Sequence, residues 1–235
     1  LYKDANITFV GCSRWLSGRA KKSYLLRGKA VLSIPNPIDT KVYHPMDQGM
    51  ARELLGLPSG KRLLLFGALN VTDKRKGIDY LIEALRRMEK QDVELVVFGQ
   101  VKDDIRGLFP VPIHSMGYLS DESKIVALYN AVDMFITSSL EENLPNTIME
   151  SMACGTPCVG FEIGGIPEMI DHRVNGYVAN YKDAGDLANG IQWVLEHEDR
   201  LALSDACVKK VQENYTEEVV AKQYTALYEK LLKGE

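Results

Sequence analysis

Two glutamates stand eight residues apart in a segment whose pattern predicts a loop followed by a helix. Glu142 lies at the entrance of the predicted helix 146–154, and Glu150 lies within that helix. Eight helical residues span ~12 Å, about the distance from the ribose of a nucleotide to a sugar beyond its diphosphate. Carboxylates accept hydrogen bonds from sugar hydroxyl pairs, and a carboxylate near an anomeric carbon stabilises positive charge that builds there. A helix-capping carboxylate and an ordinary surface glutamate would explain the same pair without a site.

The ends of this predicted helix carry the usual start and stop residues. Pro145 fits the first turn, where its missing N–H costs nothing. Asn143 or Asn146 is expected to cap the helix, and Gly155 suits its carboxyl end.

Three consecutive cations, Lys74, Arg75 and Lys76, end the loop after the first predicted strand of the regular region and stand at a helix start. A helix N-terminus presents free N–H groups and a partial positive charge, which suits an anion. Cations are unfavourable there for the helix itself, and a local rule broken in this way indicates function. The loop therefore predicts a diphosphate site, with a solvated loop of incidental cations as the alternative.

Two familiar phosphate-binding signatures are absent from the sequence. No G-x-G-x-x-G follows the first strand and no G-x4-G-K-[ST] occurs, which argues against a nicotinamide dehydrogenase and a P-loop nucleotidase. Gly164 and Gly165 follow a predicted strand and permit close backbone approach to a ligand. A tight strand–helix turn would use the same two glycines.

An alternation of apolar strands and helical periodicity positions these loops. It implies right-handed βαβ units, a parallel sheet and a doubly wound, Rossmann-like α/β fold. Ligands bind such sheets at the carboxyl ends of the strands, so five loops should converge on one site: 67–76, 99–102, 117–121, 138–147 and 162–167. The predicted strands are 7–10, 30–34, 62–69, 93–98, 111–116, 133–137, 157–161 and 176–179. The predicted helices are 14–26, 77–88, 121–130, 146–154, a turn from 166, 184–196, 200–214 and 217–232.

Composition sets limits on the function class. The chain has 235 residues, of which 46% are hydrophobic and 26% charged, as in packed soluble domains. Its net charge of −4 argues against a dedicated nucleic-acid binder. Residues 1–45 nevertheless hold eight Lys and Arg against two Asp and Glu. This basic segment is either a solvated face or a surface for a phosphate-bearing substrate or an anionic membrane.

Taken together and in this order, the segments resemble the carboxyl-terminal domain of the family 4 retaining glycosyltransferases, which have the GT-B fold. The resemblance runs over nearly the whole chain and rests on five segments in register. These are Ile34-Pro-Asn-Pro-Ile-Asp39 with Tyr43-His-Pro45, Lys76-Gly77, Gly117-Tyr-Leu-Ser with Leu128-Tyr-Asn-Ala-Val-Asp133, the E-x7-E motif Glu142–Glu150, and Gly155-Thr-Pro with Gly164-Gly-Ile-Pro-Glu168.

The resemblance implies a role for each matching position. Glu142 is the catalytic candidate and faces the donor sugar, whereas Glu150 binds the ribose hydroxyls. Lys76 pairs with the diphosphate and helps the nucleoside diphosphate leave. The donor is a nucleotide sugar of the UDP or GDP type, and neither a metal nor another cofactor is implied. The implied donor-binding residues are Gly67, Arg75, Lys76, Tyr118, Leu119, Asn146, Thr147 and Glu150, with the backbone near Tyr118 and Leu119 holding the base.

One departure from the family pattern concerns the first loop. The family usually has an arginine directly after the glycine of the first strand, but Gly67 is followed here by Ala68. Arg75 is expected to supply that charge from further along the loop.

A second departure concerns the stretch after the first glutamate, which is glycine-rich in the family and reads Asn143-Leu-Pro-Asn here. Pro145 offers no N–H. The oxyanion contacts must therefore come from Asn146, Thr147 or the side chain of Asn143.

The resemblance divides the chain into four parts. Residues 1–35 are a remnant of an amino-terminal acceptor domain, 36–45 an inter-domain linker, 46–215 the nucleotide-sugar-binding domain, and 216–235 a helix that crosses back toward the amino-terminal domain. It implies metal-independent, retaining transfer of a hexosyl-type sugar to a glycan or lipid-linked acceptor in bacterial polysaccharide synthesis. The expected location is the cytoplasm, either free or in peripheral contact with the inner face of the membrane. The family's acceptor site and its donor-contacting histidine have no match in this sequence, so the isolated chain is expected to transfer no sugar.

Two alternatives stay open at this point. The first is a different GT-B enzyme, either a nucleotide-sugar epimerase or a glycan phosphorylase. An epimerase turns over without an acceptor, and a phosphorylase needs a lysine for pyridoxal phosphate. A non-catalytic nucleotide- or sugar-binding module would carry the same binding loops.

Overall fold

The computed structural model describes residues 5–70, 73–88, 92–100 and 106–233, apart from the side chains of residues 68–70 and 106. The strands are β1 (Thr8–Gly11), β2 (Ala30–Ser33), β3 (Arg62–Asn70), β4 (Val93–Gln100), β5 (Ile113–Gly117), β6 (Met134–Thr137), β7 (Cys158–Phe161) and β8 (Gly176–Ala179). The helices are α1 (Arg14–Lys22), α2 (Gln48–Leu55), α3 (Ile78–Arg87), α4 (Glu122–Ala131), α5 (Asn146–Ala153), α6 (Ile166–Met169), α7 (Ala184–Leu195), α8 (Arg200–Asn214) and α9 (Glu217–Leu232).

Strands β3 to β8 form a six-stranded sheet in the order β5-β4-β3-β6-β7-β8, and every neighbouring pair is parallel. The chain builds outward from β3 in one direction and then outward from β6 in the other. The direction therefore reverses between β3 and β6, which is where such sheets open a crevice for a ligand. The predicted doubly wound, Rossmann-like fold is confirmed.

Apolar side chains of β3 point alternately to the two faces of the sheet. Leu63 and Leu65 belong to the core that also contains residues of α4, α5 and α8. Leu64 and Phe66 belong to the opposite core, which contains residues of α3 and α7. Burial on both faces is why β3 reads as a continuous apolar run rather than an alternating one.

Asp133 fixes the amino-terminal edge of the sheet, opposite the predicted site. Its Oδ2 atom accepts a hydrogen bond from the Leu63 N–H at 2.7 Å and lies 3.0 Å from the guanidinium of Arg52. Arg52 is carried by α2, a helix that the sequence analysis did not predict. Two residues of the sequence mark its ends. Asp47 caps the first turn, and Gly56 ends the helix in the left-handed conformation.

The first segment forms a small unit of its own, in which β1 and β2 pair in parallel and α1 packs against both. The single helix predicted over 14–26 was wrong, since α1 ends at Lys22 and a separate 3-10 turn follows. Ser23 is extended, with φ −70° and ψ 133°, and so breaks the helix. Leu25 lies in the 3-10 turn and is 74% exposed.

The last helix contacts this first unit. Val220 and Leu227 of α9 are buried against Ile34, with Val10 of β1 packed beside them. The domain boundaries stay a prediction. No helix among the described residues is long and apolar enough to cross a bilayer.

Candidate functional site

Loops that follow β3, β6 and β7 meet at the carboxyl edge of the sheet. The Leu140 N–H donates to the carbonyl of Arg75 at 2.7 Å, and the Ser138 hydroxyl donates to the carbonyl of Lys76 at 2.9 Å. On the other side, the Gly165 N–H donates to the carbonyl of Asn143 at 2.6 Å. The loop that carries Glu142 is thus held between the other two.

Glycines allow these loops to approach one another. Gly77 has φ 63°, and a Cβ atom there would overlap the carbonyl oxygen of Ser138. Gly164 has φ 60°, and a Cβ atom would overlap the carbonyl oxygen of Glu142. The sequence analysis took the glycine pair 164–165 as room for a ligand, or as a tight turn. In the structure the pair admits the protein's own loop, and it thereby positions Glu142.

Lys76 and Glu142 form an ion pair at the centre of this site. The Nζ atom of Lys76 lies 2.5 Å from the Oε1 atom of Glu142. Their side chains are 33% and 15% exposed, so both remain reachable from solvent. The sequence assigned them to the diphosphate and the sugar separately and did not predict their contact.

Arg75 is held by a residue that the sequence analysis missed. Asp73 caps the 3-10 turn Lys74–Lys76 and accepts from the backbone N–H of Arg75 at 2.9 Å. The same carboxylate lies 2.7 Å from the Arg75 guanidinium, which lowers the pKa of Asp73. The three cations lie directly before α3, as predicted, since Gly77 is its N-cap and Ile78 its first residue, but they form a 3-10 turn of their own. The Asp-Lys-Arg order is itself a capping signal for such a turn.

The first turn of α5 faces the same edge. Its N-cap residue is Pro145, whose side chain cannot accept a hydrogen bond from the following N–H groups. Asn146 is exposed and Thr147 is half-buried. The predicted capping by Asn143 or Asn146 was wrong, since the Asn146 side chain accepts instead from Asn36 at 3.3 Å.

Asn143 is tied to the first unit of the chain. Its Oδ1 atom accepts from the Ser13 hydroxyl at 2.6 Å, and its Nδ2 donates to the sulfur of Cys12 at 2.9 Å. Both polar ends of this side chain are therefore engaged. Of the three residues proposed from the sequence for oxyanion contacts, Asn146 and Thr147 are the ones better placed to serve.

A second contact with the first unit comes from Glu168. Its two carboxylate oxygens accept from the backbone N–H groups of Arg14 and Trp15, each at 2.8 Å. An anion at the start of α1 also suits the positive end of that helix. The sequence analysis placed Glu168 in a motif but predicted no partner for it.

Glu150 is held by Tyr129, which belongs to a cluster of three aromatic side chains. The hydroxyl of the buried Tyr129 donates to the Oε2 atom of Glu150 at 2.8 Å. Burial raises the pKa of the Glu150 carboxyl, an effect that this hydrogen bond opposes. The ring of Tyr129 makes edge-to-face contacts with Phe98 and Phe135, with centroids 6.2 and 6.1 Å apart. The sequence analysis named Tyr129 within a motif but predicted no role for it, because a tyrosine in an apolar helix is typical of the core.

Gly67 of β3 lies next to the same aromatic cluster. It pairs in register with Phe98 of β4, and a Cβ atom at Gly67 would overlap the Phe98 ring. Gly67 thus leaves room for the ring that packs against Tyr129. Through Phe98 and Tyr129, Gly67 thereby helps to position Glu150.

Tyr118 and Leu119 follow the end of β5, beyond Gly117, which has φ 63°. The Tyr118 side chain is 62% exposed, whereas Leu119 packs against the core. The loops 67–76 and 99–102 are only partly described, because residues 71–72 and 101–102 lie outside the described residues. Whether Arg75 replaces an arginine at Ala68 therefore stays a prediction. Within the described part of the chain, no three His, Cys, Asp or Glu side chains are grouped as metal ligands would be.

The family profile "Glycosyl transferases group 1" matches residues 60–197 of the chain, which include every loop described above except those of the first unit. The chain belongs to this family. The family resemblance of the sequence motifs is thus confirmed.

Curated relatives are longer than this group 1 chain. The N-acetyl-alpha-D-glucosaminyl L-malate synthase of Bacillus anthracis is 24% identical over 213 residues, which cover 88% of the chain and 55% of that protein. The N,N'-diacetylbacillosaminyl-diphospho-undecaprenol alpha-1,3-N-acetylgalactosaminyltransferase of Campylobacter jejuni is 33% identical over 118 residues, 50% of the chain and 31% of that protein. The chain thus spans about half or less of the length of these relatives.

Solved structures share the fold of this group 1 chain. A glycosyltransferase from Rickettsia africae superposes with a TM-score of 0.85 at 21% identity, covering all of the chain and 66% of its own length. HepE of Anabaena, in complex with UDP-glucose, superposes with a TM-score of 0.77 at 19% identity, covering 94% of the chain and 63% of its own length. The six-stranded sheet with its flanking helices matches the carboxyl-terminal Rossmann-like domain of GT-B glycosyltransferases.

Proposed function

We propose that the chain is the donor-binding half of a metal-independent, retaining glycosyltransferase that takes a sugar from a nucleotide sugar. The observation that carries the proposal is one arrangement at the carboxyl edge of the sheet. A reachable Lys76–Glu142 pair lies beside the first turn of α5, and Glu150 is fixed on that same helix by Tyr129.

The diphosphate would bind between the cationic turn and α5. Lys76 supplies an ammonium, and the first turn of α5 supplies backbone N–H groups of Asn146 and Thr147 at the positive end of the helix. Arg75 adds a second cation, although Asp73 already partners it. These groups place positive charge where the leaving group carries negative charge, which supports chemistry without a divalent ion.

The nucleoside would extend from the diphosphate toward Glu150. Tyr129 holds the Oε2 atom, so the carboxylate can accept from ribose hydroxyls through Oε1. Residues 142–145 form a loop, so only the stretch from Asn146 to Glu150 is helical, with a rise of ~6 Å. The helical spacing used in the sequence analysis for Glu142 and Glu150 therefore does not apply. The base would then adjoin the backbone of Tyr118 and Leu119. HepE, a neighbour in fold, is known in complex with UDP-glucose, which supports a UDP-type donor here.

In the transfer step the bond between the anomeric carbon and the diphosphate oxygen breaks, and its electron pair leaves with the nucleoside diphosphate. A bond from the acceptor oxygen to the same face of that carbon forms, and the acceptor proton passes to the leaving phosphate oxygen. Lys76 stabilises the charge on the leaving group, while the Glu142 carboxylate stabilises the positive charge on the sugar ring. We expect a glycan or a lipid-linked acceptor, and the second is supported by the name of the Campylobacter relative, which gives a sugar linked to diphospho-undecaprenol for that protein.

A thermal-shift panel of UDP, GDP, ADP and CDP tests the proposal on the 235-residue chain. One diphosphate should raise the unfolding midpoint, because a ligand that binds only the folded state stabilises it. Lys76→Ala should abolish the shift, and Lys222→Ala, which removes an exposed cation from α9, should leave it intact. A panel without any shift would overturn donor binding.

A labelled-sugar assay separates binding from transfer. Both reactants must be held together for most of the rate to appear. We expect the chain to bind the nucleotide without transferring sugar, and a protein of the relatives' full length to do both. Equal transfer rates would contradict the assignment of this chain as a donor-binding half.

A further inference from the structure

An open cleft of about 540 Å³ lies beside Glu142. One wall comes from α1 and carries the side chains of Trp15 and Arg19, and the other comes from the loop after β6 and carries Glu141 and Glu142. Its volume falls within the range of ~300–1,000 Å³ that is typical of small-molecule sites. Among the predicted donor residues, this lining contains only Glu142 and Arg75, so the cleft adjoins the sugar end of the donor rather than its ribose.

The Trp15 ring is the aromatic part of this lining, which also contains the apolar side chains of Leu140 and Ile163. Trp15 is 37% exposed, although α1 is anchored at this point by the hydrogen bond from the Trp15 N–H to Glu168. The guanidinium carbon of Arg19 lies 5.3 Å from the ring centroid, close enough for a cation–π contact that holds the indole in place. Arg19 therefore covers part of the ring and holds it in place, while Trp15 as a residue stays partly exposed.

Carbohydrates suit this combination of groups. A pyranose ring presents C–H bonds on its faces, which pack against the electron-rich face of an aromatic ring. Its hydroxyls project from the ring edge and bond to carboxylates, guanidinium groups and amides. Glu141 and Arg19 supply such groups around the indole.

We infer that this cleft binds a pyranose ring of a sugar substrate, with the Trp15 indole as the stacking surface and Arg19 and Glu141 as partners for its hydroxyls. The inference rests on the proposed function, because that function places a sugar next to Glu142. The ring belongs either to the donor or to the acceptor, and the two sources can be separated by experiment.

Trp15 can report its own occupancy. The chain has two tryptophans, and Trp193 lies on α7 against Tyr177 and His197. In a Trp193→Phe background, Trp15 emission is followed during titration with UDP-glucose and GDP-mannose, each compared with its nucleoside diphosphate. Methyl glycosides of glucose, galactose, mannose and N-acetylglucosamine are then added to the chain saturated with the diphosphate that binds.

We expect a saturable emission change with a sugar-bearing ligand that the diphosphate alone does not produce. A change with the nucleotide sugar identifies the donor ring, and a change with a glycoside identifies the acceptor ring. If calorimetry detects diphosphate binding but no sugar-bearing ligand alters Trp15 emission, the inference is wrong and the proposed function stands. If no diphosphate binds in calorimetry either, the proposed function fails and this inference fails with it.

Substitutions give an independent measure. Trp15→Ala should weaken binding of the responding sugar roughly three- to tenfold, the loss expected for one aromatic contact, and leave diphosphate affinity unchanged. Trp15→Phe should restore most of it. Tyr24→Ala removes a more exposed aromatic from the next turn of the same segment and should have no effect. Equal losses in Trp15→Ala and Tyr24→Ala would contradict a specific role for Trp15.

Discussion

The ammonium of Lys76 and the carboxylate of Glu142 neutralise each other across 2.5 Å, although they come from loops 66 residues apart in the chain. The two groups were assigned to opposite ends of the scissile bond. A diphosphate that approaches Lys76 must therefore compete with a carboxylate already in place. If the proposed function is right, we expect the bound diphosphate to release Glu142 for contact with the sugar.

Removing the competing charge should strengthen nucleotide binding. We expect Glu142→Gln to tighten the binding of the preferred nucleoside diphosphate roughly two- to fivefold, the range for a partly exposed ion pair. Transfer in a full-length protein should fall sharply. Titration calorimetry checks the affinity, with Glu162→Gln as an exposed carboxylate control from the loop after β7. A weaker affinity in Glu142→Gln would show that the carboxylate helps to bind the diphosphate.

The two neighbouring cations should differ in effect. Lys76→Ala should weaken diphosphate binding by ~1.5–3 kcal/mol, the range for a charged hydrogen bond, and leave binding of the bare nucleoside almost unchanged. Arg75→Ala should cost less, because its side chain is 70% exposed and already paired with Asp73. Calorimetry with the diphosphate and the nucleoside separates the two variants. Larger losses in Arg75→Ala would favour Arg75 as the replacement for the family's arginine.

Glu150 should reduce the stability of the fold at neutral pH. Its pKa is raised by burial in the folded state, so ionisation is harder there than in the unfolded chain. The cost is absent below the ordinary glutamate pKa, where both states are protonated, grows as the pH rises from that value to the raised folded-state pKa, and is constant above it. Glu150→Gln should therefore unfold at a higher temperature than the parent at pH 7, with the difference shrinking toward pH 4.

The same variant should lose function. Binding of a ribonucleotide should weaken, while binding of its 2′,3′-dideoxy analogue should change much less, because the lost partners are ribose hydroxyls. Equal losses for both ligands would remove Glu150 from the ribose.

A methyl group at Gly164 should displace the loop that carries Glu142. The residue has φ 60°, which costs a non-glycine residue ~1–2 kcal/mol, and the new Cβ atom would overlap the carbonyl of Glu142. Gly164→Ala should therefore lower the unfolding midpoint of the chain and the transfer rate of a full-length protein. Gly18→Ala is the matched control, since a Cβ atom there meets nothing within 4 Å and α1 should gain ~0.5–1 kcal/mol. A silent Gly164→Ala would mean that the loop yields easily.

Strong periodicity made most elements of the fold predictable. Strand β8 and helices α8 and α9 have the bounds that the sequence predicted, and several other elements differ by a residue or two. Helix α2 was not predicted, although Asp47 and Gly56 supply its two caps. Helix α1 was predicted too long, because the pattern of apolar residues does not show that the backbone becomes extended at Ser23.

The site was predictable as a location but not as a network. The parallel sheet places Lys76 and Glu142 at one edge, and this follows from topology alone. Their contact, the attachment of Asn143 to Ser13, and the hydrogen bond from Tyr129 to Glu150 depend on how separate loops pack together. Such contacts join residues 21 to 130 positions apart, and local spacing carries no information about them.

The carboxylate of Glu168 also makes the first unit observable. Two backbone amides, those of Arg14 and Trp15, are shielded only while that carboxylate remains at the start of α1. If the first unit swings away from the sheet, both protons become free to exchange with deuterium, while amides within α1 keep their helical partners. The exchange rates of these two protons would thus report how often the first unit separates from Glu168, without any added label.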